Sequence, residues 1–187
     1  MMNIKDGFQY KDGLETPRLI TRFLTEADIP VWLEYCQDPV ATAFTSIPGK
    51  TPLELAQFFI ELSLKRYEEN RFGGQALIHK ETGDFIGLCG LLLQEVNEIN
   101  EIEVGYHLLR KHWGKGYATE AAQKFRDYGF EHNLADSIIS IIDPLNVQSK
   151  KVAVRNGMKL AETNAIFRGE EYNLFRITRA EWEQLKK

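Results

Sequence analysis

A strand, a basic turn and the start of a helix follow one another in YHLLRKHWGKGYATE, which covers residues 106–120. A helix start presents about four unpaired backbone N–H groups and a partial positive charge. Glycines beside it let a ligand approach the backbone closely. Together these features predict an anion site suited to phosphate. The residues predicted to form it are Trp113, Gly114, Lys115, Gly116, Tyr117 and Ala118, with further positive charge from Lys111.

Two common phosphate loops do not fit this stretch. A Walker loop needs GK followed by Ser or Thr, whereas Lys115 here precedes Gly116. The dinucleotide fingerprint needs a third glycine where Thr119 stands, and Asp136, which lies at the distance of the ribose-binding acid, begins a strand instead of ending one. A coenzyme A loop remains, beside the plain alternative of a tight strand–helix turn that binds nothing.

The segments on either side predict an α/β fold with a mixed, largely antiparallel sheet of six to seven strands and helices on both faces. Apolar alternation, helix caps and glycine turns give the element order β α α β β β α β α β β α. A doubly wound parallel sheet is excluded, because its strands and helices would alternate strictly. Within this order, the longest helix after the glycines is expected from Gly114 to Asn133.

Length and composition restrict the class of protein. The 187 residues suit one domain, residues 1–187, in which the polar residues 1–13 are expected to be a loosely ordered extension. The net charge of −4 argues against nucleic acid as a partner. Cys36 and Cys89 show no CxxC spacing, no apolar run is long enough to span a membrane, and no cluster has metal-ligand spacing. We expect a cytoplasmic protein without a metal, as a monomer or a homodimer.

The loop resembles that of the GNAT superfamily of acetyltransferases, which reads Gln/Arg-x-x-Gly-x-Gly/Ala. Trp113, Gly116 and Ala118 stand at its three fixed places. Trp departs from the superfamily pattern and is similar to the branch of ribosomal-protein alanine and serine N-terminal acetyltransferases, whose loop reads YWGKGYATE. This chain differs there by His112 in place of Tyr.

Three further segments carry the same resemblance, which extends from about Leu14 to Phe175. Residues 103–108 resemble the splayed fourth strand of that branch, and residues 146–158 resemble its Asn-x-x-Ser helix with the Gly-Met that follows. Residues 14–19, LETPRL, resemble its usual opening. The resemblance therefore implies a splayed pair of central strands.

The resemblance also implies a cofactor, acetyl-CoA, with coenzyme A as the product. The loop Trp113–Ala118 would hold the pyrophosphate, and the strand end at His107, Leu108 and Leu109 would pair its backbone with the pantetheine arm. Asn146, on the helix opposite, would bond that arm. The implied activity is N-acetyl transfer to a primary amine by direct attack in a ternary complex.

Two residues are candidates for proton transfer. Ser149 lies three residues after Asn146, so both share one helix face, and we expect it to donate a proton to the coenzyme thiolate. Its alternative role is a local backbone bond near the helix start. Glu103 is the candidate base, directly or through a water; its alternative is a solvated or ion-paired carboxylate. We expect His107 to pack beside the cofactor and His112 to be exposed.

The acceptor stays open at this point, because fold and cofactor loop do not fix it. A protein N-terminal amine is expected from the branch that the chain resembles. A small amine, such as an antibiotic, a polyamine or an amino acid, is the first alternative. Two other classes also remain: a non-catalytic module that binds acyl-CoA, and a nucleotide-binding domain.

Overall fold

The computed structural model describes residues 8–45 and 47–187, and within them the element order predicted from the sequence is confirmed. Two 3₁₀ turns, Glu26–Asp28 and Arg110–His112, precede the first and third α-helices. The strands and α-helices are β1 (Leu19–Arg22), α1 (Ile29–Cys36), α2 (Pro52–Glu68), β2 (Gly74–His79), β3 (Phe85–Val96), β4 (Ile99–Leu108), α3 (Tyr117–Glu131), β5 (Ser137–Ile142), α4 (Val147–Arg155), β6 (Lys159–Phe167), β7 (Glu170–Thr178) and α5 (Arg179–Leu185).

The strands form one seven-stranded sheet in the order β1-β2-β3-β4-β5-β7-β6. Neighbouring strands are antiparallel except for β4 and β5, which run parallel and are joined at one residue pair, Glu103 and Ile139. The mixed, largely antiparallel sheet and the splayed central pair are therefore both confirmed. The splay separates β4 from β5 on the side where the glycine loop begins.

The helix starts follow the capping residues in the sequence. Thr51 accepts a hydrogen bond from the Glu54 backbone N–H, and Glu54 bonds back to Thr51, which closes a capping box before α2. The predicted start of α3 at Gly114 is wrong by three residues. Gly114 and Gly116 have φ of 75° and 83°, in the left-handed region, so the helical conformation begins only at Tyr117.

Apolar side chains cover both faces of the sheet. On one face α3 and α5 contribute Phe125, Phe130 and Trp182 to the larger cluster. On the other face α1 and α2 bury Trp32 and Ile60 against the sheet. The two faces are thus covered by different helix pairs, and β4 lies between them.

The N-terminal segment enters the larger cluster. The sequence predicted a loosely ordered extension over residues 1–13. Residues 1–7 of it lie outside the described residues. Phe8 and Tyr10 pack against the cluster, and Tyr10 is only 4% exposed, with its hydroxyl donating to the Gly73 carbonyl at 2.9 Å, whereas residues 9 and 11–13 are exposed. In the described part of the chain, no helix has the length and apolar character needed to cross a membrane.

The close approach of β2 and β3 gives a test of this fold. Gly74 and Gly90 face each other in register, yet a Cβ at Gly90 would lie 2.2 Å from the Gly73 carbonyl oxygen, whereas one at Gly74 would meet nothing closer than 3.8 Å. We expect Gly90→Ala to lower the free energy of unfolding by about 2 kcal/mol or more, since the backbone must shift. Gly74→Ala is the matched control, and thermal unfolding is the measurement. Equal unfolding temperatures for the two variants would contradict the strand pairing.

Candidate active site

The gap between β4 and β5 is bridged by side chains in place of a backbone ladder. The Ser140 hydroxyl donates to the Val104 carbonyl at 3.0 Å, and the Ile141 N–H donates to the Glu103 carboxylate at 3.2 Å. Beyond these bonds, residues 105–108 of β4 have no pairing partner on the β5 side among the described residues. An open strand edge presents N–H and C=O groups that an extended ligand can bond.

The glycine loop begins where this open edge ends. Trp113 folds back so that its indole N–H donates to the Leu108 carbonyl at 2.9 Å. Leu109 is buried, with 1% of its surface exposed. The Leu108 carbonyl is thus occupied within the chain, and the Leu109 N–H donates to the Ile86 carbonyl of β3 at 3.1 Å, so it points away from the open edge.

The start of α3 leaves its first N–H groups without acceptors. Glu120 is the first residue whose N–H bonds back, to the Gly116 carbonyl at 3.1 Å. The backbone N–H groups of Tyr117, Ala118 and Thr119 therefore have no acceptor within the described ranges, and Gly116 offers no capping side chain. This is the geometry of an anion site at a helix N-terminus.

The basic side chains of the loop have different surroundings. Lys115 has no ion-pair partner in the part of the chain that the structure describes, so its charge is available to an anion. Lys111 instead pairs with Glu34 at 2.8 Å. The ring of Tyr117 is buried beneath Arg18, whose guanidinium carbon lies 4.4 Å from the ring centroid. Tyr117 can therefore offer an anion its backbone N–H but not its ring.

The opening segment 14–19 braces the loop, a role that the sequence did not reveal. Arg18 Nη1 donates to the Lys115 carbonyl at 2.9 Å, and its Nη2 pairs with Glu120 at 2.6 Å. Glu120 also accepts from the Thr16 hydroxyl at 2.5 Å and from the Arg18 N–H at 2.9 Å. Burial acts to raise the pKa of Glu120, but the bonds from Thr16 and Arg18 outweigh it and lower that pKa.

A cleft of about 590 Å³ adjoins the loop on the outer face of α3. It starts at Gly116, follows Thr119 and Gln123 along the helix, and ends near Arg155 of α4. Its wall also carries Lys124 and three carboxylates, those of Glu15, Glu120 and Asp127. The cleft is thus continuous with the free helix start.

The start of α4 faces the gap from the β5 side. Asn146 caps this helix, because its Oδ1 accepts the Ser149 N–H at 3.0 Å, which leaves its Nδ2 as the group free to bond a ligand. The Ser149 hydroxyl lies 2.8 Å from the Tyr106 hydroxyl of β4, so it bonds across the gap and not to its own helix. Tyr106 was not predicted as a site residue.

Glu103 is a buried carboxylate with both oxygens bonded. Its side chain accepts from Gln94 Nε2 at 2.9 Å and from the Ile141 N–H, and the residue is 8% exposed. It is therefore neither solvated nor ion-paired with any described residue. Burial raises the pKa of Glu103, and the bonds from Gln94 and Ile141 offset only part of that effect. A raised carboxyl pKa suits a general base.

The two histidines of this region lie in different places. His107 Nδ1 is 2.9 Å from the Tyr35 hydroxyl and its ring packs against Phe59, so it faces α1 and α2. Burial lowers the pKa of His107 to about 4, and the ring is neutral near pH 7. The expectation that His112 is exposed is wrong: it is 8% exposed, because the 3₁₀ turn packs its ring toward Tyr117. No group of three metal-ligating side chains occurs in residues 8–45 and 47–187.

The family profile described as acetyltransferase (GNAT) domain matches residues 18–159. The chain is also 37% identical, over 145 residues, to the uncharacterized N-acetyltransferase p20 of Bacillus licheniformis, which covers 75% of this chain and 79% of that protein. The chain belongs to the GNAT acetyltransferase family. The enzyme class expected from its sequence is thereby confirmed.

Solved structures share the fold. An acetyltransferase from Agrobacterium tumefaciens str. C58 has a TM-score of 0.75 and 29% identity, and the match covers 91% of this chain and 95% of that one. RimL, a ribosomal L7/L12 alpha-N-protein acetyltransferase solved in complex with coenzyme A, has a TM-score of 0.71 at 14% identity, over 90% of this chain and 98% of that one. At 14% identity, the similarity to RimL shows a shared fold alone.

The brace at the loop yields a prediction for cofactor affinity. Glu120→Ala removes the acceptor that holds Thr16 and Arg18 and frees the Arg18 guanidinium from its place beside Lys115. We expect the dissociation constant for coenzyme A to rise about tenfold, since the charge-assisted hydrogen bonds that hold the loop are lost. Isothermal titration calorimetry measures it. Lys80→Met is the control, because it breaks the nearby Lys80–Glu15 pair without touching the loop. An unchanged affinity for Glu120→Ala would remove the brace from cofactor binding.

Proposed function

We propose that this enzyme transfers an acetyl group from acetyl-CoA to a primary amine by direct attack in a ternary complex. One observation carries the proposal: the open edge of β4 lies between the uncapped start of α3 and the Ser149 hydroxyl of α4. The start of α3 suits a phosphate group, the open edge of β4 suits an extended arm, and the Ser149 hydroxyl suits a departing sulfur. The family relationship supports the same reaction class.

Several residues would hold the cofactor. The free N–H groups of α3 and the Lys115 ammonium suit the pyrophosphate. The open edge of β4 at residues 105–108 suits the pantetheine arm, to which Asn146 Nδ2 would add a bond. The cleft beside α3 adjoins these N–H groups and so offers the nucleotide end space next to the pyrophosphate site. Bound there, acetyl-CoA supplies an activated acetyl thioester.

The chain's own groups then act on protons and orientation. Glu103, with its raised pKa, takes a proton from the acceptor ammonium directly or through a water. Ser149 donates a proton at the departing sulfur. A backbone N–H at the open edge of β4 polarises the carbonyl oxygen. Holding amine and thioester in line contributes much of the rate.

Charges near Glu103 bear on the acceptor. Arg66 of α2 is half-buried, and its guanidinium has no bonding partner among the described residues. Burial lowers the pKa of Arg66, and the nearby charges of Arg71 and Arg168 lower it further. The charges of Arg66 and Arg168 in turn act to lower the pKa of Glu103. Cations at this place oppose a polycation such as a polyamine. We therefore favour an acceptor with one positive charge, namely a protein N-terminal amine, and keep an amino acid as the second candidate.

The test is release of free thiol from acetyl-CoA with a panel of acceptors. The panel contains peptides with free N-termini, the same peptides with blocked N-termini, single amino acids and spermidine. Turnover with free N-termini alone supports the proposal as stated. Turnover with spermidine alone would overturn the favoured acceptor. Tight acetyl-CoA binding without turnover on any acceptor would favour a non-catalytic acyl-CoA-binding module, and stabilisation by ATP or NAD but not by coenzyme A would favour a nucleotide-binding domain.

The glycine at the helix start gives the sharpest test of the cofactor site. Gly116→Glu places a carboxylate among the N–H groups expected to bind phosphate and forces a side chain onto a backbone with φ of 83°. We expect no measurable binding of acetyl-CoA by calorimetry. Gly169→Glu is the matched control, because Gly169 has φ of 82° in an open turn between β6 and β7. Equal affinities in the two variants would show that the loop does not bind the cofactor.

Glu103→Gln separates a base from a structural carboxylate. Because the folded-state pKa of Glu103 is raised, its contribution to stability is present at low pH and is lost as pH rises through that pKa. At pH 8 we therefore expect the Gln variant to be at least as stable as the wild type, while kcat falls about 100-fold. Thermal unfolding and thiol release measure the two effects.

The control for this variant is Glu101→Gln on the same strand. Glu101 is paired with Arg176 at 2.6 Å, away from the gap, so its loss should affect stability and leave kcat unchanged. A Glu103→Gln variant that is less stable at pH 8 but fully active would make Glu103 a purely structural bridge between β4 and β5.

A further inference from the structure

A tyrosine that the sequence did not single out reaches the candidate proton donor. The Tyr106 hydroxyl on β4 lies 2.8 Å from the Ser149 hydroxyl and 3.2 Å from the Ser149 carbonyl oxygen on α4. The two residues belong to elements on opposite sides of the gap between β4 and β5. Their hydrogen bond therefore links the two walls at the place where the cofactor arm would lie.

The direction of the hydrogen bond between Tyr106 and Ser149 determines whether the Ser149 hydrogen is free. Each hydroxyl has one hydrogen to donate and can also accept. If Tyr106 donates to the Ser149 carbonyl, the serine hydrogen points back at the tyrosine oxygen and is unavailable. If Tyr106 donates to the Ser149 hydroxyl oxygen, at the shorter of the two distances, the serine hydrogen is free to point into the gap. Burial raises the pKa of Tyr106, so it stays protonated and acts as a donor.

We propose that Tyr106 is a positioning residue, which donates a hydrogen bond to the Ser149 hydroxyl oxygen and so directs the Ser149 hydrogen at the departing coenzyme sulfur. This inference rests on the proposed function, in which Ser149 is the proton donor. In this proposal the Tyr106 hydroxyl acts through Ser149, the side chain that it contacts.

The protons balance in this arrangement. The acceptor ammonium loses one proton to Glu103, which releases it to solvent. As the new N–C bond forms and the C–S bond breaks, the sulfur receives the proton of the Ser149 hydroxyl. Ser149 is restored by the second proton that the nitrogen sheds on becoming an amide. Tyr106 keeps its own proton throughout, so no other reactant is needed.

The test is a double-mutant cycle on turnover with the acceptor identified by the panel. We expect Ser149→Ala to lower kcat about 100-fold and Tyr106→Phe to lower it about three- to tenfold, the effect of one hydrogen bond. The double variant should be no slower than Ser149→Ala alone, because Tyr106 works through Ser149. The acetyl-CoA dissociation constant should stay within about twofold of the wild type in all three variants.

Tyr128→Phe is the control for losing a tyrosine hydroxyl elsewhere, since the Tyr128 hydroxyl accepts from the Lys11 N–H of the N-terminal segment at 3.3 Å. It should keep full turnover. Thermal unfolding and coenzyme A binding verify that each variant is folded. Independent, multiplicative losses in the double variant would overturn the inference, as would unchanged kcat in Tyr106→Phe or a weaker acetyl-CoA affinity with normal kcat. A wild type that binds acetyl-CoA and acetylates nothing would instead reject the proposed function itself.

Discussion

The parting of β4 from β5 after one residue pair is the constraint on which the site depends. Unpaired backbone groups inside a protein are unfavourable, so neighbouring strands separate only where other bonds replace the ladder. Here Ser140 bonds the Val104 carbonyl and the Glu103 carboxylate bonds the Ile141 N–H, so two side chains replace the ladder just beyond the pair of Glu103 and Ile139. Since these bonds lie at the inner end of the gap, its outer end stays open. An extended ligand fits there without displacing any pairing between strands.

The glycine loop complements this opening by position as well as by charge. A helix start attracts anions only if its N–H groups point at the ligand, and here two left-handed glycines turn the chain so that α3 begins directly after the open edge. Arg18 lies beside this start, yet Glu120 compensates its charge, so Arg18 fixes the shape of the loop and Lys115 provides the free charge. The electrostatic and the geometric parts of the phosphate site are thus carried by different residues.

Local signals in the sequence were sufficient for the element order, the mixed sheet and the place of the loop. Capping boxes such as that of Thr51 and the glycines before α3 act within a few residues, so one sequence reveals them. Contacts between distant segments were not predictable in this way. The bond between Tyr106 and Ser149, and that between Arg18 and Glu120, join residues on separate elements, and no periodicity marks such pairs. His112 was misjudged for the same reason, because its burial depends on how the 3₁₀ turn packs.

The alternation of side chains along β4 ties these observations together. Glu103 and His107 face α1 and α2, whereas Tyr106 faces α4, because successive residues of a strand point to opposite sides. In the proposed reaction the group that accepts a proton and the group that directs one therefore lie on opposite faces of one strand, and the open edge between them receives the thioester. The neutral His107 adds no competing charge on the acceptor side. A shift of the β3–β4 register by one residue would exchange the two faces of β4. The strand pairing therefore also determines that Glu103 lies on the face of α1 and α2 and Tyr106 on the face of α4.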